Sequence, residues 1–316
     1  MKSAQIRKYG GSDVIEITEN GSIPNVPAEG KVLIAIKIAG INPVDWKIRE
    51  GYFQQMIPLQ FPFTLGLDFS GIVKEVGNGV LDFKQGDEVY GQAGVITGGS
   101  GAFAEMTMAN AETIAHKPKS LSHTEAAALP LVGVSAWQAL MENIKLSKDQ
   151  KILIHGGAGG IGSIAIPLAK HLVGVHVATT ASTDDKKFVQ ELGADEVIDY
   201  KSQNFEDILH DYDAVFDTIG SDTYKRSFKV LKKDHGIIVS MLEQPNSELM
   251  NQYGVKAIFQ FTQVNRERLT KLADWVDQNN NKIRVNIDKE FPLDEASKAL
   301  DYQRDKHPRG KIVLTM

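Results

Sequence analysis

KILIHGGAGGIG, residues Lys151 to Gly162, decides how the rest of the chain divides. Lys151 to Ile154 reads as a buried strand, five glycines fall in the seven positions after His155, and the apolar run Ile161 to Val173 has helical spacing. Gly157, Gly159 and Gly162 fit G-x-G-x-x-G where a strand turns into a helix, the context in which that motif binds a dinucleotide. Such a turn needs a residue tolerant of positive φ, a second without a side chain where backbone meets pyrophosphate, and a third where helix crosses strand. The loop Gly157, Ala158, Gly159, Gly160 and Ile161 then offers N–H groups and the positive end of a helix to phosphate. A plain glycine-rich turn is the alternative reading.

Working outward, 316 residues suffice for two domains, each with its own core. The 35 basic and 40 acidic residues form no basic block, which argues against a nucleic-acid partner. Cysteine is absent, so disulfides and thiolate metal sites are excluded. The start, MKSAQIRKYGGSD, has no apolar core of signal-peptide length, and no run approaches the ~20 residues of a membrane span. A cytoplasmic protein with no membrane partner is expected.

From Met1 to about Lys119, short β-type runs are broken by Gly, Pro and Asn: Lys31 to Ala39, Gly71 to Val76, Asp87 to Tyr90 and Phe103 to Ala109. The long irregular segment Gly40 to Asp68 carries Trp46, Tyr52 and three phenylalanines, so it either lines a site or packs as ordinary core.

Asn42-Pro43-Val44-Asp45, Arg49, Gly51, the run Gly66-Leu67-Asp68-Phe69-Ser70-Gly71, then Val76-Gly77 and Gly86-Asp87-Glu88-Val89 resemble the catalytic-domain signature of the medium-chain dehydrogenase/reductase superfamily. Within it the chain is similar to the zinc-free quinone oxidoreductase and alkenal reductase branch. Zinc-dependent members bind their metal through a Cys and the His of Gly-His-Glu; this chain has Asn42 and Leu67 at those places, and neither side chain replaces a thiolate or an imidazole. No metal is expected. The resemblance implies that Asn42 hydrogen-bonds the nicotinamide carboxamide, although an Asn satisfying the turn before Pro43 reads similarly. Lys47, near the place of a proton-relay His, and Tyr52 are the candidate proton donors, with a solvated lysine and simple packing as the alternatives. Trp46, Tyr52 and Leu67 are expected to border the substrate.

Ser122 and Glu125 form a capping box, and Pro130 separates that helix from another over Val132 to Glu142. The resemblance turns Ser135 toward the cofactor; a helix-packing Ser is the alternative. Strands at Val175 to Thr179, Glu196 to Ile198, Ala214 to Asp217 and Ile237 to Met241 alternate with helices at Lys186 to Leu192, Phe205 to Leu209 and Thr223 to Lys232, which implies a doubly wound parallel sheet of Rossmann type. Pro167 predicts a bend in the helix after the glycines.

Cofactor choice turns on the end of the second strand, where NAD enzymes place an acid. Here it reads Thr179-Thr180-Ala181-Ser182; Thr180, Ser182 and Lys186 suit a 2′-phosphate, and Tyr200 resembles a family residue at the adenosine end. NADP is expected, with Asp184 and Asp185 opposing unless they cap the helix, and with Lys186 and Lys187 as a solvated face in the alternative. Thr218 and Met241 lie at strand ends on the carboxyl edge, where such sheets bind ligand.

Val255 to Thr262 predicts a sixth strand, Arg266 to Gln278 a helix, and Ile283 to Ile287, Leu293 to Gln303 and Lys311 to Thr315 resemble the family's closing segment, which returns to the first domain. Lys311 then reaches the cofactor or serves the structure. The fold expected is α/β: a GroES-like, mostly-β catalytic domain over 1–120 and 283–316, and a Rossmann NADP-binding domain over 121–282. The function the resemblance implies is metal-free, NADPH-dependent hydride transfer to a quinone or an α,β-unsaturated carbonyl, in a homodimer. A non-catalytic NADPH-binding sensor and a zinc-type alcohol dehydrogenase are the competing readings.

Overall fold

A computed structural model describes residues 1–21, 27–279, 283 and 285–316. The chain forms two compact units, Met1–Leu131 with Val264–Asn280 and Val285–Met316, and Val132–Gln263 with Asn281–Arg284.

The first unit begins with β1 (Ser3–Ile6), β2 (Ile15–Thr18), β3 (Lys31–Ile41), α1 (Pro43–Arg49), β4 (Phe63–Thr64), β5 (Asp68–Val76), β6 (Glu88–Gln92), β7 (Met106–Asn110), β8 (Ile114–His116) and α2 (His123–Ala127), followed by α3 (Pro130–Trp137), in which the boundary falls. β3 is the spine: β5, β7 and a late strand all pair with it, so its Val and Ile run is buried almost throughout. The segment 40–68 read as irregular contains α1. Its start was written in the sequence, because Pro43 sits at the first helical position and Asp45, three residues after the cap, accepts the Asn42 N–H with its side chain. The strand expected from Phe103 begins only at Met106; the Phe103 N–H donates to Leu65 and its carbonyl accepts from Ala4, which ties this residue to a different part of the unit.

The second unit continues with β9 (Lys151–Ile154), α4 (Gly162–Pro167), β10 (His176–Ala181), α5 (Lys186–Glu191), β11 (Glu196–Asp199), β12 (Ala214–Asp217), α6 (Ser221–Ser227), β13 (Ile237–Ser240), α7 (Ser247–Tyr253) and β14 (Lys256–Phe259). Its parallel sheet has the order β11-β10-β9-β12-β13-β14, the doubly wound order that reverses beside the first strand. At Pro167 the α pattern ends and wider π turns carry Leu168–Val173 onward, Gly174 donating five residues back to Ala169. The helix expected over Phe205 to Leu209 is one 3₁₀ turn, Phe205–Asp207; Asp211 at positive φ stops the chain before further turns repay nucleation. The helix expected at Thr223 to Lys232 starts earlier and ends at Ser227, and β14 is shorter than Val255 to Thr262.

The closing segment supplies α8 (Arg266–Gln278), β15 (Ile287–Pro292), α9 (Ala296–Lys306) and β16 (Lys311–Thr315) to the first unit. The part of the closing segment at Ile283 to Ile287 includes Arg284, outside the described residues; β15 begins at Ile287. α8 is held by the Tyr90 hydroxyl, which donates to Leu269 O at 2.6 Å. The larger sheet runs β15-β16-β3-β5-β6-β8, with β7 beside β3. Among the described residues no helix is long and apolar enough to cross a membrane.

Candidate active site

In the first unit, register gathers four polar residues at one end of the large sheet. Ile312 pairs with Ile41, Gly40 with Asp68, and Asp68 with Gln92, so Lys311 on β16, Asn42 just past the end of β3, Asp68 on β5 and Gln92 on β6 are brought close together. All four are buried. The Lys311 ammonium donates to Ile41 O and to Asn42 Oδ1; Asn42 Nδ2 donates to Asp68 Oδ2 at 2.9 Å. Asp68 accepts two more hydrogen bonds, from Gln92 Nε2 at 2.7 Å and Leu131 N at 3.0 Å. Beside this chain lies Asp45, fully buried, whose Oδ2 accepts from Asn42 N at 2.7 Å and whose Oδ1 has no partner.

Three ionisable groups thus share a dry site, and burial acts on each. It pushes the Asp45 carboxyl up to about 8, with the Asp68 charge adding to the rise and the Asn42 N–H and Lys311 opposing it. Burial also raises Asp68 and lowers Lys311, whose charged form the two carboxylates support. With all three ionised the cluster would carry one surplus negative charge. Asp68 has three donors and Asp45 one, so Asp68 is the carboxylate that balances Lys311 across the Asn42 amide and the proton stays on Asp45.

A zinc ion does not fit here. The Asn42 amide oxygen already receives an ammonium group, where a second cation meets like charge, and buried Leu67 has no donor atom. Among the described residues no three His, Cys, Asp or Glu side chains are grouped to hold a metal ion.

The candidate proton donors lie around α1. Lys47 Nζ is 5.6 Å from the Trp46 ring centroid, and the Tyr52 ring meets Trp46 edge-on at 5.7 Å. Trp46 is fixed by its Nε1 donating to Gln303 Oε1 at 2.9 Å; Tyr52 is 68% exposed. Sequence reading missed Asp45, Asp68 and Gln92 as members of this site. The three-residue spacing from Asn42 to Asp45 signalled a helix start, but nothing in the sequence linked Gln92 to it, and Lys311 was expected at the cofactor and not at the Asn42 amide.

In the second unit the glycine turn follows β9 at the switch point between β9 and β12. Positive φ falls on Gly156, one position before the residue expected to carry it. Gly157 and Gly162 are required by close approach instead: a Cβ on Gly157 would overlap Thr179 Oγ1, and one on Gly162 the Gly156 carbonyl oxygen. A Cβ on Gly159 would meet only Gly156 O, at 3.4 Å. The N–H groups of Ala158, Gly160 and Ile161 donate to no backbone carbonyl, so the turn presents the donor set a pyrophosphate needs. Underneath, His155 bridges Thr180 Oγ1 at 3.2 Å and Ser227 Oγ at 2.9 Å, and burial lowers it to about 4, so it is neutral.

Of the other expected cofactor residues of this unit, Thr180, Thr218 and Met241 stand at the ends of β10, β12 and β13, while Ser135 is on α3 and Lys186 opens α5. Thr218 Oγ1 donates to His155 O at 2.8 Å, Met241 Sδ accepts from Gln260 Nε2 at 3.4 Å, and Ser135 Oγ pairs with Thr262 Oγ1 at 2.7 Å. Buried Thr180 accepts the Gly156 N–H at 3.1 Å. Ser182 Oγ donates to Asp185 Oδ2 at 2.7 Å, while Lys186 and Tyr200 are exposed. Asp199, at the tip of β11, is engaged by Thr183, Ser202 and the Lys201 N–H, which hold its carboxyl below the usual range.

Comparison with known proteins agrees with this geometry. Residues 28–119 match the alcohol dehydrogenase GroES-like domain and residues 192–314 the zinc-binding dehydrogenase family. The chain is 36% identical to the 2-methylene-furan-3-one reductase of Solanum lycopersicum and to the chloroplastic NADPH-dependent alkenal/one oxidoreductase of Arabidopsis thaliana, covering 99% of this chain and 79% of each relative. The solved structure of the quinone oxidoreductase from Coxiella burnetii superposes with a TM-score of 0.90 at 34% identity, covering 100% of this chain and 99% of that one. The chain belongs to the medium-chain dehydrogenase/reductase superfamily of oxidoreductases, in its quinone oxidoreductase and alkenal reductase branch.

Proposed function

We propose that this protein is an NADPH-dependent, metal-independent reductase of quinones or α,β-unsaturated carbonyls. The observation that supports the reading is the Lys311–Asn42–Asp68 chain, which sets an ammonium against Asn42, the residue that the resemblance matches to a zinc ligand. An electrophile here is therefore activated by hydrogen bonds and position. The relatives named as alkenal/one and furanone reductases support the acceptor class.

Ala158, Gly160 and Ile161 hold the pyrophosphate through their N–H groups, and Gly157 and Gly159 keep the approach clear. Ser182, Lys186 and Tyr200 meet the adenosine end, with Lys186 as the cation for a 2′-phosphate; Thr180, Thr218, Met241, Ser135 and Asn42 position the rest. NADPH supplies the hydride. Trp46, Tyr52 and Leu67 border the acceptor, and Lys47 or Tyr52 delivers the proton. The working form is a homodimer.

The test is consumption of reduced nicotinamide, followed by absorbance, over a panel of quinones and enals with NADPH and NADH. Turnover with an NADPH preference, unchanged by a chelator, is expected. Loss of activity to the chelator, or consumption of neither cofactor, overturns the reading. If Lys47→Ala and Tyr52→Phe both leave turnover intact, the proton comes from elsewhere.

A further inference from the structure

The carboxyl edge of the second unit's sheet carries a buried link between two loops. Asp217 and Ser240 end β12 and β13, pair in register and are fully buried. Asp217 Oδ1 accepts from the Ile219 and Gly220 N–H groups at 3.0 and 2.9 Å, so its side chain folds the chain back just past β12. Its Oδ2 accepts from Ser240 Oγ at 2.7 Å. Ser240 Oγ in turn accepts from the N–H groups of Leu242 and Glu243 at 3.2 and 3.0 Å, which turns the chain past β13 in the same way. Glu243 closes the circuit, its Oε1 accepting from Ser221 N at 2.7 Å. Every side-chain oxygen of the Asp217–Ser240 pair is spent on loops 218–221 and 241–243.

Loop 218–221 stands against the glycine turn: Thr218 Oγ1 donates to His155 O at 2.8 Å, and a Cβ on Gly156 would come 3.1 Å from Ile219 Cδ1. Leu242 lies beside Gly220, whose added Cβ would stand 3.1 Å from Leu242 Cβ. Ile219 and Leu242, one on each loop, are left 51% and 50% exposed. In a doubly wound sheet a dinucleotide lies across the switch point, one half over each half of the strands. With the adenosine half at the end of β10, the loops after β12 and β13 face the nicotinamide half.

We infer that Asp217 is a positioning residue for NADPH: through Ser240 it holds the loops after β12 and β13 as one rim, and that rim sets the nicotinamide half of the cofactor. Asp217 is fully buried, so it acts through the loops and touches no ligand. Without its carboxyl group two N–H groups and the Ser240 hydroxyl lose their partner together, and the loops are free to part.

The inference rests on the proposed placement of the two halves of NADPH, and its test needs no acceptor. With the full-length protein, NADPH binding is followed by fluorescence of the reduced nicotinamide, and binding of adenosine 2′,5′-bisphosphate, which has no nicotinamide half, by calorimetry. Folded Asp217→Ala is expected to bind NADPH at least about tenfold more weakly than wild type, the scale of lost hydrogen bonds to a buried carboxyl group, and the bisphosphate equally well. Ser240→Ala opens the same link and should give the same split, with no further loss in the double variant. If Asp217→Ala does not fold, Ser240→Ala decides. Asp217→Asn keeps an acceptor for the Ile219 and Gly220 N–H groups and should recover NADPH affinity to within about threefold of wild type. Unchanged NADPH affinity in either folded variant, equal losses for both ligands, additive losses in the double variant, or an Asp217→Asn no tighter than Asp217→Ala overturns the inference, as does failure of wild type to bind the bisphosphate. The expected split with no nicotinamide consumed in the turnover panel would defeat the proposed function and leave Asp217 in this role; turnover with NADPH and no split would do the reverse.

Discussion

At the scale of single residues, the site is governed by how three ionisable groups share one dry volume. Asp45 titrates near 8 folded and near 3.8 unfolded, so its contribution to stability is full below the unfolded value and is lost as pH rises through the folded one. His155 runs the other way: lowered to about 4 from 6.5, it contributes fully above 6.5 and its contribution is lost as pH falls toward 4. The two slopes oppose between about pH 4 and 6.5, which leaves about 6.5 to 8 as the window where His155 no longer opposes Asp45. In that window wild type should lose stability relative to Asp45→Asn in urea unfolding; parallel curves would mean that Asp45 does not hold the proton. Lys311→Met should cost about 3–5 kcal/mol at neutral pH, since it strands the Asp68 charge, and less at acid pH where Asp68 takes a proton. Urea melts at two pH values test this, and a small, pH-independent loss would argue against the pairing. Asp45 and Asp68 were visible only as letters of a motif, because a carboxyl's charge state depends on burial and neighbours brought from distant strands.

At the scale of elements, the glycine turn was legible because strand, turn and helix are consecutive in sequence. Its internal division of labour was not: positive φ fell on Gly156, while Gly157 and Gly162 are held by contacts with Thr179 and the Gly156 carbonyl. Gly162→Ala should displace the turn, lower stability by about 1–3 kcal/mol and weaken NADPH binding at least about tenfold, as measured by unfolding and by cofactor fluorescence. Unchanged cofactor affinity would remove the turn from the pyrophosphate site. α1 shows the opposite failure, since Pro43 at its first position and Asp45 three residues after Asn42 were present but were read as part of an irregular segment. The single turn Phe205–Asp207 was read as a longer helix, because so short a stretch carries no period that fixes its extent.

At the scale of the whole molecule, the sheet orders carry the family assignment. β11-β10-β9-β12-β13-β14 follows from alternating strands and helices, since right-handed crossovers leave few orders open. The return of β16 to β3 does not follow from any local signal, and without it Lys311 has no route to Asn42. Phe261, just past β14 at the sheet edge, is 63% exposed. If the proposed homodimer uses this edge, Phe261→Lys should shift the mass measured by light scattering from two chains to one, and a wild-type monomer would exclude the dimer.

The sequence by itself determined the two-part architecture, the place of a glycine turn between strand and helix and the lack of cysteine ligands, because composition and short-range periodicity are properties of neighbouring residues. Only the tertiary structure decided that Lys311 occupies the position facing Asn42, that Asp68 is the carboxylate that balances it, and that Asp45 is buried with one oxygen unmatched. Those facts depend on strand register and exclusion of water, and both exist only once residues hundreds of positions apart are brought side by side.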